Sequence, residues 1–208
     1  MNPPSIRLIA TLVRASLLGL AVLATSCVTR PRPAYSVTFD PPVVRPTNPS
    51  AVKVKLSTSA QRVYVTEGDR VLLATPCSVG MPSCPTRHGH YTIYNKQFNR
   101  RRISSPGSGY PMTYWMEFAT GYGMHWGFVK PYPCTHGCVR LPIKSAQKIF
   151  SIVKTGTPLH IAASHPEDAT VGASLPLLDD SAMPDPPWSY MISPQVFKDA
   201  ELGKFYTY

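Results

Sequence analysis

The 208 residues include 21 Lys+Arg against 11 Asp+Glu, a formal charge of +10, yet only 15% are charged and 43% are hydrophobic. This excludes a charge-rich disordered chain and leaves apolar material for one core of ordinary size with appendages. The 23 prolines, about one residue in nine, argue against a helical bundle and for short strands, turns and extended connectors.

Residues 1–26 contain Arg7 and Arg14, no acid, and an apolar run from Leu17 to Ala24 that is short for a membrane span, so they read as a secretory signal. The run ends Leu23-Ala24-Thr25-Ser26-Cys27, which resembles the lipobox of bacterial lipoproteins. That resemblance implies Cys27 as the first mature residue, acylated and holding a soluble domain on a membrane facing the periplasm or cell wall. The other reading is ordinary cleavage near Ala24, with Cys27 left for a disulfide. Either way the chain is expected to be exported, into a compartment where disulfides persist.

Without residues 1–26 the chain keeps nineteen bases against eleven acids. From Ser50 to Ser164 fourteen Lys+Arg face only Glu67, Asp69 and Glu117, whereas His165 to Tyr208 holds seven acids against Lys198 and Lys204. The sequence has no helix-turn-helix, RNP-like or zinc-finger pattern, so the basic middle points to anionic wall polymer or lipid rather than nucleic acid. Its densest run, Arg100-Arg101-Arg102, reads as a solvated loop or a polymer contact.

Residues 27–50 form a proline-rich spacer, with Pro31, Pro33, Pro41, Pro42, Pro46 and Pro49, expected to have no fold of its own. A domain over 51–163 follows. Val52, Val54 and Leu56 alternate with polar residues, as do Val63 and Val65, and Glu67-Gly68-Asp69-Arg70 turns into Val71-Leu72-Leu73-Ala74-Thr75. Further strands are expected at Gly89–Asn95 and Thr113–Thr120. After Leu141-Pro142, the spacing of Ile143, Ala146, Ile149, Phe150 and Val153 predicts a helix ended by Gly156, and Thr157–Ala162 reads as a closing strand. Residues 164–208 form an acidic, proline- and aromatic-rich extension without clear periodicity, and Trp188, Tyr190, Phe197, Phe205 and Tyr206 suggest that part of it packs on the domain.

Chemistry concentrates in Met124-His125-Trp126-Gly127, then Pro133-Cys134-Thr135-His136-Gly137-Cys138-Val139-Arg140. Three readings fit these residue types. Cys138 has an imidazole, an arginine and a helix start within sequence reach, each of which lowers a thiol pKa, and Gly137 opens an approach to backbone N–H donors. Cys134-x-His136-x-Cys138 with His125 offers four metal ligands, though the spacing departs from zinc knuckles. A disulfide beside a buried histidine is the third, and it leaves Gly137 and Arg140 unexplained.

Thr135-His136-Gly137-Cys138-Val139-Arg140, preceded by His125, resembles the signature of the YkuD-type L,D-transpeptidases, bacterial enzymes that cross-link or remodel peptidoglycan. Cys77-Ser78-Val79-Gly80, the stretch from Cys84 to Ile93, and Lys154-Thr155-Gly156-Thr157-Pro158-Leu159-His160-Ile161 are similar to further elements of that family, so the resemblance spans about Val52 to Ala162. It implies a mainly β, sandwich-like catalytic domain with one or two short helices. It also implies Cys138 as nucleophile, His125 as its base oriented by the following backbone, and His136 and Gly137 shaping the nucleophile loop and its oxyanion donors. Arg140, Thr135 and Trp126 become substrate contacts or loop anchors. The donor is then a peptidoglycan stem peptide, attacked at its third residue with release of D-alanine, and neither metal nor other cofactor is needed.

The chain departs from the family pattern in a short gap between His125 and Thr135, in threonine rather than serine before His136, and in Cys84, Arg87 and His88 altering the T-P-x-G element. These changes bear on donor or acceptor preference. With Cys27 lipidated and Cys138 free, Cys77, Cys84 and Cys134 allow one disulfide, and Cys77 with Cys84 is the expected pair; a Cys134–Cys138 lock needs unusual geometry. His88, His90, His160 and His165 read as solvated or structural, and Tyr110, Tyr114, Trp115 and Tyr122 as core or cleft lining. Besides transpeptidation to a stem peptide, two activities share the same residues: hydrolysis by an L,D-carboxypeptidase or endopeptidase, and transfer to a protein lysine. A non-catalytic wall-binding lipoprotein is the reading from another class, and it would tolerate loss of Cys138.

Overall fold

The computed structural model describes residues 34–102 and 109–204; the expected signal peptide, Cys27, the start of the spacer, Phe205 and Tyr206 lie outside them. Among the described residues nine strands form two sheets. Strand β1 is Val52–Ser57, β2 Arg62–Glu67, β3 Arg70–Pro76, β4 Gly89–Thr92 and β9 Pro158–Ala162, ordered β3-β2-β1-β9-β4. Strand β5 is Asn95–Arg101, β6 Pro111–Ala119, β7 Tyr122–Trp126 and β8 Val139–Leu141, ordered β5-β6-β7-β8. No helix of the described chain is long and apolar enough to cross a membrane.

The alternation in β1 does what a half-buried strand requires: Val52, Val54 and Leu56 enter the core while Lys53 is exposed. In β2 Val63, Tyr64 and Val65 are all buried, because the outer face is covered too: Tyr64 Oη donates to Asp168 Oδ1 at 2.7 Å from a 3-10 turn at Pro166–Ala169. The turn expected at Glu67–Arg70 forms, with Gly68 in the left-handed region at φ 58°. Strand β9 closes the sheet parallel to β1 and antiparallel to β4.

Helix α1, Ile143–Ile152, follows Pro142 and buries Ile143, Ala146 and Ile149 at the expected spacing. The amine of Lys96 on β5 donates to the Phe150 and Val153 carbonyls at 2.7 and 2.6 Å, satisfying acceptors at the helix end with a cation that complements the dipole. One apolar cluster joins both sheets to α1.

One expectation needs correction. The spacer, expected to have no fold of its own, is ordered against the domain from Ala34 on: Ser36 is fully buried, Val44 N–H donates to Leu72 O at 2.8 Å, and Asp40 pairs with Lys144 and Lys148. The extension supplies two helices, α2 Trp188–Ile192 and α3 Gln195–Glu201, whose Met191, Val196 and Ala200 join the core. The catalytic domain itself holds one α-helix, within the expected one or two, and the extension brings the described α-helices to three. Extension acids also meet domain partners, Glu167 with Lys55 at 2.5 Å and Asp168 with Ser57 at 2.8 Å.

Candidate active site

Strand β7 carries His125, and the parallel β7–β8 register sets His125 opposite Arg140 and Met124 opposite Val139. Cys138 stands immediately before β8, so the ladder brings nucleophile and base candidates from either side of the 127–138 loop to one cleft. His125, His136, Cys138, Thr135 and Arg140 all line this cleft, which has a volume of about 640 Å³.

The imidazole of His125 is only 4% exposed, and its Nδ1 lies 2.6 Å from the carbonyl oxygen of Trp126. A carbonyl only accepts, so Nδ1 carries the proton and Nε2 keeps its lone pair. Burial lowers the His125 pKa to about 4, against the opposing pull of the Trp126 carbonyl, with Arg140 pushing the same way as burial. The histidine is thus neutral at neutral pH, the form that the expected base requires.

Desolvation raises the Cys138 thiol above its ordinary pKa, opposed by the Gly123 backbone and by Arg140 and Arg100. Its Sγ donates to Gly121 O at 3.8 Å. The expected helix N-terminus does not act here, because β8 and Pro142 separate Cys138 from α1. The resting cleft is lined by both a neutral thiol and a neutral imidazole, groups suited to proton removal during attack.

The nucleophile loop is closed by Thr135. Its buried Oγ1 donates to Cys138 O at 2.6 Å and accepts from Gly137 N–H at 3.1 Å, so Thr135 is a loop anchor. That bond also occupies the Gly137 N–H expected to serve the oxyanion. Among the described residues, the Cys138 N–H donates to no backbone or side-chain acceptor and is the donor that remains. Gly137 sits at φ 108°, where a Cβ would come within 2.4 Å of Tyr122 Cε1, so glycine is required on both counts. Thr86 Oγ1 donates to Gly137 O at 3.0 Å and receives Gly80 N–H at 2.9 Å, tying the altered T-P-x-G segment to the loop.

Trp126 is 1% exposed in the core, so it is not a substrate contact; its backbone carbonyl orients His125. Cys77 and Cys84 are free thiols, which corrects the expected disulfide: Cys77 points into the apolar core at the end of β3, while Cys84 sits half-buried beyond it. Among the described residues no three His, Cys, Asp or Glu side chains are arranged to hold a metal ion. His90 and His160 stack across β4 and β9 at 4.1 Å, away from the cleft lining.

Sequence reasoning read Arg100-Arg101-Arg102 as a solvated loop or a polymer contact and did not place it at the site; Arg100 and Arg102 line the cleft from β5 and its end, while Arg101 turns to the opposite face and donates to the Met191, Ile192 and Ser193 carbonyls. The signal was the two-residue period of an edge strand hidden in a charged run. It also missed Asp180, in the extension, whose Oδ2 accepts from Val129 N–H at 2.7 Å and so anchors the segment following His125.

Residues 51–161 match the family model YkuD, the L,D-transpeptidase catalytic domain. No curated protein matches the chain. Among solved structures, an L,D-transpeptidase from Stackebrandtia nassauensis is 20% identical, with a TM-score of 0.50 and 60% of each chain covered. An L,D-transpeptidase from Xylanimonas cellulosilytica is 21% identical over 57% of this chain and 63% of its own, at a TM-score of 0.49. One from Mycobacterium tuberculosis is 23% identical over 54% and 57%, at 0.48. The chain thus spans about 60% of the length of the solved structures it matches.

Proposed function

The chain belongs to the YkuD family of L,D-transpeptidases, and from that premise we propose that it is a cysteine transpeptidase acting on peptidoglycan stem peptides. The observation that carries the reading is the His125 tautomer, fixed by Trp126 O at 2.6 Å, in the cleft that also holds Cys138. Nε2 of His125 takes the Cys138 proton as Sγ attacks the carbonyl of the third stem residue. The Cys138 N–H stabilises the oxyanion. The tetrahedral intermediate expels the amine of D-alanine, which leaves with the proton from His125, and a thioester on Cys138 remains. An acceptor amine then attacks the thioester, His125 again accepting the proton, and the amide product leaves as Sγ regains its hydrogen. Energy from the broken peptide bond is kept in the thioester, so the cycle needs no nucleotide.

The test is incubation of the exported form, starting at Cys27, with disaccharide-tetrapeptide and mass spectrometry of the products beside Cys138→Ala. Loss of D-alanine with a dimer joined through two third residues supports transpeptidation. Loss of D-alanine alone assigns the same chemistry to a carboxypeptidase, and no turnover with no adduct on Cys138 favours a binding role. Export and acylation of Cys27 complete the proposal, placing the domain at the cell envelope. Globomycin-sensitive processing together with a lipid-bearing N-terminal peptide is the expected result; an unmodified Cys27 thiol overturns it.

A further inference from the structure

The cleft carries more positive charge than the chemistry at Cys138 uses. Arg100, Arg102 and Arg140 line it, and the side chain of Glu117 is the one carboxylate within 4 Å of any of them, 3.9 Å from Arg100, among the described residues. That carboxylate is heavily engaged already: it accepts from Asn95 at 2.9 Å, Trp115 Nε1 at 3.2 Å and Gly121 N–H at 3.1 Å. Three guanidiniums therefore face the cleft against one saturated acid.

Arg100 is held in place in advance of any ligand. Its side chain is 13% exposed, its guanidinium lies over the Trp115 ring at 4.7 Å, and Nη1 donates to Gln97 Oε1 at 2.9 Å. Its Nε is buried without a hydrogen-bond partner, a cost that an incoming acceptor would remove. Arg102 is exposed at the rim, and its backbone N–H bonds to Tyr110 O at 3.0 Å, which keeps the end of β5 against β6. The strand period turns Arg100 and Arg102 to the cleft and Arg101 away from it, so the triple arginine is two cleft residues and one structural clamp.

The held planar fork of Arg100, with two further guanidiniums lining the same cleft, suits carboxylates above other anions of a peptide. On the reading that Cys138 attacks the third stem residue, the side chain of that residue is the part of the donor nearest the nucleophile. We propose that Arg100 and Arg102, with Arg140, form a carboxylate subsite, and that the preferred donor bears a free side-chain carboxylate on its third residue, as a diaminopimelate-type residue does and its carboxamide does not. The inference rests on the transpeptidase reading and adds the substrate class.

The test compares two tetrapeptide donors that differ only in carboxylate or carboxamide on the third side chain, by rates of thioester formation on Cys138 in the exported form. The intact protein is expected to favour the carboxylate donor at least tenfold in kcat/KM, mainly through KM, with the preference weakening as salt rises. In Arg102→Gln and Arg100→Gln the ratio of the two donors falls toward one, and Arg102→Lys restores part of it. Equal kcat/KM for both donors in the intact protein overturns the proposal, as does a ratio unchanged in both glutamine variants that still melt as the parent does. If neither donor acylates Cys138, the transpeptidase reading fails, a result distinct from equal use of both.

Discussion

Ser36 and Asp180, 144 residues apart, are joined by two hydrogen bonds: the Ser36 N–H donates to Oδ1 at 2.8 Å and its hydroxyl to Oδ2 at 2.5 Å. Oδ2 also accepts from Val129 N–H, four residues after His125. A side chain 2% exposed thus ties the N-terminal strap and the C-terminal extension to the segment that leads into the nucleophile loop. Lys130 continues the tie, exchanging both its backbone groups with Ser78 Oγ at 2.7 and 3.0 Å, while Ser78 pairs with the backbone of Arg140.

Replacing Asp180 by alanine leaves three buried donors without their acceptor, and the expected destabilisation is about 3 kcal/mol. A chain that starts after Pro49 lacks the strap and leaves the Asp180 carboxylate short of two partners. It is expected to melt several degrees below the exported form starting at Cys27. Thermal unfolding of the three proteins checks this; equal melting temperatures contradict the strap's role.

Gly137→Ala places a methyl within 2.4 Å of the Tyr122 ring at a φ that L residues rarely adopt. Displacing the loop by a fraction of an ångström moves Sγ away from its productive position, so acylation is expected to fall by roughly 100-fold, with about 1–3 kcal/mol of lost stability. Single-turnover acylation measured beside the melting temperature separates the two effects. An alanine variant that acylates at the parent rate contradicts the loop account.

Thr135→Val removes the donor to Cys138 O and the acceptor for Gly137 N–H, whereas Thr135→Ser keeps both. The valine variant is expected to lose about 2 kcal/mol of stability and acylate at least tenfold more slowly, and the serine variant to remain within about twofold of the parent. Parallel acylation rates for the three proteins decide it.

The pH dependence follows from His125. Its folded pKa of about 4 lies below the ordinary 6.5, so only the neutral base is populated at neutral pH. The acid limb of kcat/KM is therefore expected near pH 4 and not near 6.5, provided the protein stays folded. Stability changes in the same window: below pH 6.5 the unfolded chain binds a proton at this histidine that the native state does not, so stability falls with pH until about pH 4. The loss amounts to roughly 3 kcal/mol. Measuring kcat/KM and the melting temperature from pH 4 to 8 tests both signs, and an acid limb centred at 6.5 removes the buried-base account.

What the sequence made legible was local. Strand alternation located β1 to β3, three- and four-residue spacing located α1, and the compact Thr135–Arg140 motif located the nucleophile loop. Long-range relations were hidden. Asp180 meets Ser36 and Val129 from an extension with no periodic signal, and Arg100 lies in an edge strand whose charged residues mask its period. Trp126 beside His125 has the composition of a cleft residue, yet the alternation of β7 turns its side chain to the core while His125 faces the cleft. The three residues of β8 are too short for a pattern, and they lie between Cys138 and a helix whose start after Pro142 was legible.

The central claim is that Cys138 forms a thioester through proton transfer to His125. Its most direct test is intact-protein and peptide mass spectrometry after rapid mixing of the exported form with tetrapeptide donor, followed by acid quench. The account predicts an adduct equal to the donor less D-alanine, confined to the peptide holding Cys138, released by hydroxylamine, absent in Cys138→Ala and formed far more slowly in His125→Ala. D-alanine release without any such adduct, or an adduct on Cys84 or Cys134 instead, would contradict it.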